Sequence, residues 1–285
     1  MLPNLALFDE TFKRGRRETQ AEAREFWDQA ALGYKKLQDE GVNDAVHEKI
    51  IQTIVQRTGL NSSHRVLDLG CGPGRHSRLL AKIAGSVTAF DLAPTMVKLA
   101  QEEATRQGLT IATEVLDWSE VDLKAQGWEG QFFLAFASRT PAISDLATLR
   151  KMCATVSQGF GVLVSSIELT NSLRDPVLKE LGLNEPEKAR AVRSAFLELS
   201  LLWLDGYFPE VTYFDQKWAA PRSLKGSIAK QTRFMEIIQP LSPEEKDRVA
   251  KTLTAMAKGD EVLEEIEAKT ILIIWEIPPR ITVGS

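Results

Sequence analysis

The chain has 285 residues, 44% of them hydrophobic and 26% charged, with a formal net charge of −4 at pH 7. That is enough apolar material for a sizeable core in one or two domains, and so mild a charge excludes a general electrostatic field for nucleic acid. No apolar run approaches a membrane span, no signal-peptide pattern is present, and two cysteines, Cys71 and Cys153, give no disulfide framework, so a reduced, cytoplasmic protein with no membrane partner is expected.

Residues 18–38 have helical periodicity, with Phe26, Trp27, Ala30 and Tyr34 on one stripe; residues 44–58 form a second helix with Val46, Ile50, Ile54 and Val55 apolar. The basic residues Lys13, Arg14, Arg16 and Arg17 precede them and read either as a solvated turn or as a contact to an anionic substrate. Residues 66–69 are a short buried strand that stops at glycine, residues 75–83 a helix, and residues 86–90 the next strand. A helix over 94–107 has Pro94 at its start and Gly108 past its end. Strands follow at 111–116, 132–137 and 160–167, with a helix at 143–156. Residues 170–207 lack a strand pattern, and the helical tract at 187–205 carries Phe196, Leu199, Leu202 and Trp203, with Arg190 and Arg193 nearby. It is longer than a simple connection needs and reads as a lid. A strand at 211–218, helices at 224–238 and 244–257, a strand at 270–277 and a frayed tail complete the chain.

The stretch RVLDLGCGPGRHSRLLAKIAGSVTAFD, residues 65–91, has the layout of half a doubly wound α/β fold, in which ligands sit past the carboxyl ends of the strands. Its glycines, Gly70, Gly72 and Gly74, do not match the dinucleotide fingerprint, because the third glycine of that pattern would fall at Arg75. Pro73 removes a backbone donor that a pyrophosphate would use. Asp68, just before the loop, would repel a pyrophosphate and suits a ligand with an ammonium group. No Gly-Lys-Ser/Thr follows, which excludes a Walker loop.

VLDLGCGPG followed by FDLAPTM resembles the first two motifs of class I S-adenosylmethionine-dependent methyltransferases, over about residues 65–167. The resemblance implies a Rossmann-like seven-stranded α/β sheet with helices on both faces and a last strand pair that makes the seventh strand antiparallel. N-terminal helices and a helical lid would be added to it. It divides the chain into a cap at 1–60, a cofactor-binding core at 61–169, a lid at 170–208 and the rest of the core at 209–285. Gly70, Cys71 and Gly72 would form the loop against S-adenosylmethionine, and Asp68 would order it or reach the methionine ammonium. Asp91 would accept the ribose hydroxyls, and Leu92 and Met96 would sandwich the adenine, although Met96 reads equally as core. Asp117 and Trp118 stand where the family binds the adenine edge, with a turn acid as the other reading of Asp117. Ser138 would turn a backbone carbonyl to the ammonium.

Methyl transfer requires in-line positioning in a site that excludes water, and a base only where the nucleophile must lose a proton. The sequence declares no base. Tyr34, His76 and Arg139 are the candidates for acceptor-side roles. Tyr34 stands where related first helices fold an aromatic over the cofactor, and Trp27 reads as that helix's core anchor. His76 has a packing role as its alternative, and Arg139 could hold a substrate anion or pair with an acid. His64 lies on the wrong side of the sheet, and His47 is unranked. The stretch SRTP after the fourth strand lacks the Asn/Asp-Pro-Pro-aromatic motif of amino methyltransferases, the Pro-Cys nucleophile of pyrimidine C5 enzymes, and an acid for magnesium, so no metal is expected. A small-molecule acceptor and a monomer or homodimer are expected, with no nucleic-acid partner. A protein or RNA acceptor, and a non-catalytic cofactor binder, are the alternatives.

Overall fold

A computed structural model describes residues 20–41, 43–183 and 186–279, without the side chains of 168, 169, 186–194 and 237. The basic residues Lys13, Arg14, Arg16 and Arg17, the side chains of Arg190 and Arg193, and residues 280–285 of the tail lie outside the described residues. The elements in chain order are α1 (Gln20–Asp39), α2 (Asp44–Thr58), β1 (Arg65–Leu69), α3 (Arg75–Ala81), β2 (Ser86–Asp91), α4 (Pro94–Arg106), β3 (Ala112–Val115) and β4 (Phe132–Ser138). They continue as α5 (Leu146–Ala154), β5 (Val156–Asn171), α6 (Arg174–Glu180), α7 (Pro186–Leu204), β6 (Glu210–Ser223), α8 (Leu224–Ile238), α9 (Pro243–Met256) and β7 (Glu261–Ile277).

The strands form one seven-stranded sheet in the order β3-β2-β1-β4-β5-β7-β6. The pairs β1–β2, β1–β4, β2–β3 and β4–β5 are parallel. Along β7 the numbering runs the other way. Just past β5, the Ser172 N–H donates to the Glu265 carbonyl, while earlier in β5 Gly161 lies against the Trp275 ring. Lys217 pairs with Glu267 and Asp215 with Lys269, so β6 is antiparallel to β7 as well. This is the expected mostly parallel α/β sheet with its antiparallel seventh strand.

Element ends follow local chemistry. The helix expected from 143 starts at Leu146, because the Asp145 carboxylate accepts the Thr148 N–H in a capping box. The greatest differences are in β5, β6 and β7, which have 16, 14 and 17 residues. In β7 the run from Thr270 to Trp275 is buried throughout, whereas from Glu261 to Thr270 buried and more open residues mostly alternate. Period-two burial marks a strand covered on one face, and its glutamates hide that strand from a reading based on apolar runs.

The chain divides into two compact units, one of residues up to Ser165, Ala195–Thr212 and the residues from Ile271 on, the other of Ser166–Ser194 and Tyr213–Thr270. This differs from the four-part division above: residues 213–270 group with 166–194, because the extended strands carry their own helices. The second unit has its own core of Leu173, Val177, Leu178, Met235, Val249, Leu253 and Val262. In the first unit, α1 is fastened to α4: Trp27 and Leu99 pack on Ala31, Ala93 and Met96, and the Asp28 carboxylate accepts the Thr95 N–H at 2.8 Å. Trp27 is thus an anchor in that packing, as expected.

Leu202 is fully buried, but Phe196 and Trp203 are 56% and 57% exposed. The buried side of α7 within the first unit is Ala195, Leu197, Glu198, Leu201 and Leu202. A stripe of aromatics at helical spacing does not say which of two apolar stripes faces the protein, and here the aliphatic one does.

Candidate functional site

The site is built on the carboxyl ends of β1, β2 and β4. β1 is buried along Val66–Leu69, and a continuous apolar strand of this kind suits a sheet covered on both faces. It ends in a loop in which Gly70, Gly72 and Gly74 have φ of 64°, 53° and 79°. A Cβ on Gly70 would come within 2.0 Å of the Thr140 hydroxyl oxygen, so this glycine lets β4's following turn close on the loop. At Gly72 the nearest atom to such a Cβ is the Met96 sulfur at 4.0 Å, and the backbone is open on that side. The loop is tied to β2 by the Cys71 N–H, which donates to the Phe90 carbonyl at 2.9 Å.

Asp91 holds the loop from the other strand. Its Oδ2 accepts the Gly72 N–H at 2.8 Å and its Oδ1 accepts the Ala93 N–H at 3.0 Å. Each carboxylate oxygen keeps a further acceptor site, so two vicinal hydroxyls can still be received. Burial raises the Asp91 pKa against the pull of those amides. Asp68 is 2% exposed and accepts the Ser77 hydroxyl from the first turns of α3. Burial lifts its carboxyl to about 7, opposed by Ser77 and assisted by the negative Asp91. A carboxyl so placed gains from a cationic partner. Burial also pushes the Cys71 thiol well up, with Asp68 and Asp91 adding to the rise.

Asp68 gives a stability test. A folded-state pKa above the unfolded value contributes stability that is complete below the unfolded pKa and lost as pH rises through the folded one. In the ligand-free protein Asp68→Asn, which stays neutral, should therefore gain stability over wild type between about pH 4 and 7, by a few kcal/mol at most. Denaturant midpoints at pH 5 and pH 8 check this, and a difference that does not grow with pH overturns the burial argument.

The acceptor-side candidates come together with a residue that was unranked. His47 of α2 and His76 of α3 are 3% and 8% exposed and meet at 2.9 Å, Nδ1 to Nε2. Arg139 Nη2 donates to His47 Nε2 at 3.3 Å. The His76 ring packs on Phe136 of β4, centroids 5.0 Å apart, and Phe136 is the sheet partner of Asp68. Burial holds His47 far below an ordinary imidazole, and His76 down to about 3, with the guanidinium of Arg139 acting on both in the same direction. Arg139 is exposed, yet burial by the surrounding protein lowers its pKa. Arg75 and Tyr34 also act on it electrostatically, Tyr34 being 47% exposed and 6.1 Å from the Trp27 ring, and no carboxylate among the described residues pairs with it. Arg139 also has φ 49°, a strained backbone for a non-glycine residue, with its N–H bonded to the Val164 carbonyl. Of the two readings left open for Arg139, pairing with an acid finds no partner among the described residues.

The other expected residues divide. Ser138 ends β4 opposite Val164, and Leu92 is partly open beside Asp91. Met96 is buried in the α1–α4 packing, in line with its core reading, and its sulfur is also the nearest atom to a Cβ built on Gly72. Asp117 forms an Asx turn, its Oδ1 accepting from the N–H and hydroxyl of Ser119. The Trp118 ring is corrected from ligand to core: it is 2% exposed, stacks on Phe90 with centroids 5.4 Å apart, and donates its Nε1–H to the Thr148 carbonyl. Only its backbone remains for a ligand. Sequence reasoning missed Thr140 and the engagement of His47. An Arg after β4 and a His after the glycine loop were visible, but nothing in one sequence pairs them with a helix 29 and 92 residues away.

A family model described as a methyltransferase domain matches residues 66–159. The 23S rRNA (uracil(1939)-C(5))-methyltransferase RlmD of Shewanella sediminis is 34% identical over 113 residues, 39% of this chain and 26% of that protein. The corresponding protein of Klebsiella pneumoniae subsp. pneumoniae is 34% identical over 87 residues, 30% of this chain and 20% of that protein. The chain therefore spans about a quarter or less of the length of these relatives. Among solved structures, the [4+2]-cyclase SpnF superimposes with a TM-score of 0.57 at 14% identity, covering 92% of this chain and 98% of its own. A Bacillus halodurans C-125 protein provisionally described as a methyltransferase does so with a TM-score of 0.51 at 14% identity, covering 80% and 98%. At such identity these two speak for the fold alone. With the glycine loop, the two strand-end acids and the sheet order, the match makes residues 66–159 similar to the class I S-adenosylmethionine-dependent methyltransferases, whose methyl donor is S-adenosylmethionine.

Proposed function

We propose that the chain transfers a methyl group from S-adenosylmethionine to a small-molecule acceptor by in-line displacement. Gly70, Cys71, Gly72, Asp91, Leu92 and Met96 would hold the cofactor, with Asp68 facing its ammonium and the Ser138 carbonyl beside it. The backbone at Asp117 and Trp118 would meet the adenine edge. Tyr34, His76 and Arg139 would stand on the acceptor side. The observation that carries the small-molecule reading is the exposed Arg139 guanidinium just past β4, which meets His47 of α2 and lies near Tyr34 of α1. A single cation with no carboxylate partner among the described residues suits a compact acceptor, whereas a polynucleotide is recognised through a run of phosphate contacts on a basic face. α7 is a candidate cover, since its buried Glu198 accepts the Ser165 hydroxyl, one residue past the Val164 that pairs with Ser138. No helix among the described residues is long and apolar enough to cross a membrane, and the two free thiols fit a reducing cytoplasm.

The identity to rRNA methyltransferases favours a second reading, an RNA acceptor. Transfer to a uracil carbon calls for a thiolate that adds to the ring. Burial raises both described thiols, Cys71 well above its ordinary range and Cys153 to about 11, so neither is poised for that role. Incubation with methyl-labelled S-adenosylmethionine and a cell extract, fractionated into small molecules, RNA and protein, separates the readings. Label is expected among the small molecules, and label in rRNA alone overturns the proposal.

A further inference from the structure

The geometry points to His47 Nε2 as the proton acceptor of the transfer, with His76 carrying the proton on and Arg139 stabilising the anion, which makes the acceptor an acidic hydroxyl compound of the phenol or enol type. The inference rests on the methyl-transfer reading above and names its substrate class.

Hydrogen-bond roles in the cluster follow from one fact. A guanidinium only donates, so the Arg139 Nη2 contact at 3.3 Å requires a lone pair on His47 Nε2. The His47 proton then sits on Nδ1 and donates to His76 Nε2 at 2.9 Å, and the His76 proton is left on Nδ1. One tautomer pair satisfies both contacts. It aligns the two rings as a relay that begins beside the exposed Arg139 and ends on a ring with 8% exposure. Burial, together with Arg139, Arg75 and Arg78, keeps both rings neutral at pH 7, so the Nε2 lone pair is present.

The charge around Arg139 selects the acceptor. The groups facing the pair are Arg139, Arg75 and Arg78, with Tyr34 near Arg139. An amine acceptor would gain positive charge beside an unpaired guanidinium. An aliphatic alcohol is a far weaker acid than a phenol or enol and gives its proton to an imidazole less readily. A phenol or enol avoids both: its oxygen takes Arg139 as counter-ion, and Arg139 thereby leaves His47 Nε2 open. In the step, the O–CH3 bond forms and the S–CH3 bond breaks, with the electron pair passing to sulfur. The hydroxyl proton goes to His47 Nε2, the Nδ1 proton of His47 goes to His76 Nε2, and the Nδ1 proton of His76 goes to water. Neither buried ring keeps a charge.

The test uses the full chain with 4-nitrophenol, whose anion alone absorbs visible light. Calorimetry first measures S-adenosylmethionine binding; failure there removes the methyl-transfer reading and this inference together. With cofactor binding established, wild type in the presence of S-adenosylhomocysteine should bind the phenol as its anion, and with S-adenosylmethionine it should form 4-nitroanisole. His47→Gln should lower kcat by about 100-fold or more while cofactor affinity stays within a few-fold, and added imidazole should partly restore His47→Ala. His76→Gln should lower kcat with little change in KM, since glutamine can still accept from His47 without passing the proton on. A protein that binds S-adenosylmethionine but neither binds nor methylates the phenol overturns the inference and leaves methyl transfer standing. Wild-type rates in His47→Gln overturn it as well. Should the variants not fold, 15N spectra of the wild-type imidazoles decide: both rings protonated at Nδ1 support the relay, and any other tautomer pair excludes it.

Discussion

Asp91→Ala is expected to weaken S-adenosylmethionine binding by about tenfold to a few hundredfold. The lower end follows from losing one hydrogen bond to a charged acceptor, about 1.5–3 kcal/mol, at about 1.4 kcal/mol per factor of ten. The upper end follows from the geometry. Asp91 accepts the Gly72 and Ala93 amides, so its removal unpins the glycine loop from β2 as well as deleting the ribose acceptor. Asp91→Asn separates the two effects. An asparagine can keep one oxygen for one amide, but its NH2 faces a second N–H and can no longer receive a second hydroxyl. Its affinity should fall between wild type and alanine, and the binding enthalpy should shrink in both. Titration calorimetry reads this directly. Native affinity in Asp91→Ala removes Asp91 from the cofactor site. A large loss in thermal stability without ligand would instead assign it to holding the loop.

The parts of the fold that were legible from sequence are those where burial is two-sided. β1, β2 and β4 are continuous apolar runs that end at glycine, an acid or a turn, and their bounds lie within one residue of expectation. The glycine loop and its two acids were legible for the same reason, since special φ values and strand-end carboxylates leave a signature in a single sequence. The extensions of β5, β6 and β7 were not, because a strand open on one face alternates polar with apolar, and in β7 an inward position is a glutamate. The His47–His76–Arg139 cluster was half legible: Arg139 and His76 stand beside recognisable motifs, whereas the contact of His47 with His76 depends on how α2 packs on α3. Trp118 was misread because its position beside a motif does not reveal that Thr148 takes its indole N–H.

That inward glutamate has the largest expected effect on the second unit. Glu264 is 2% exposed, and its Oε2 and Oε1 accept from Arg222 Nε at 3.0 Å and Lys230 Nζ at 2.9 Å. Burial raises its pKa, but Lys230 and Arg222 together more than reverse this, and the net shift is downward. A lowered acid contributes stability that is present above the unfolded pKa and lost as pH falls through the folded one, so its contribution should fade below about pH 4.5. Glu264→Gln keeps the shape and removes the charge. Breaking a buried pair costs about 3–5 kcal/mol, and since the Lys230 side chain is 56% exposed and can turn to water, the lower part of that range is expected. The unit has little margin, because the side-chain amides of Gln216 and Gln231 and the Thr270 hydroxyl are buried in it without hydrogen-bond partners, each a cost of about 1–3 kcal/mol. The loss should therefore be local. Hydrogen exchange in Glu264→Gln should accelerate in α6, α8 and α9, which supply the second core, and stay at wild-type rates in β1, β2 and β4. Acidification of wild type should reproduce the same pattern. Uniform acceleration across both groups would mean that the two units unfold as one, and unchanged exchange in α6, α8 and α9 would mean that Arg222 and Lys230 are satisfied without the carboxylate.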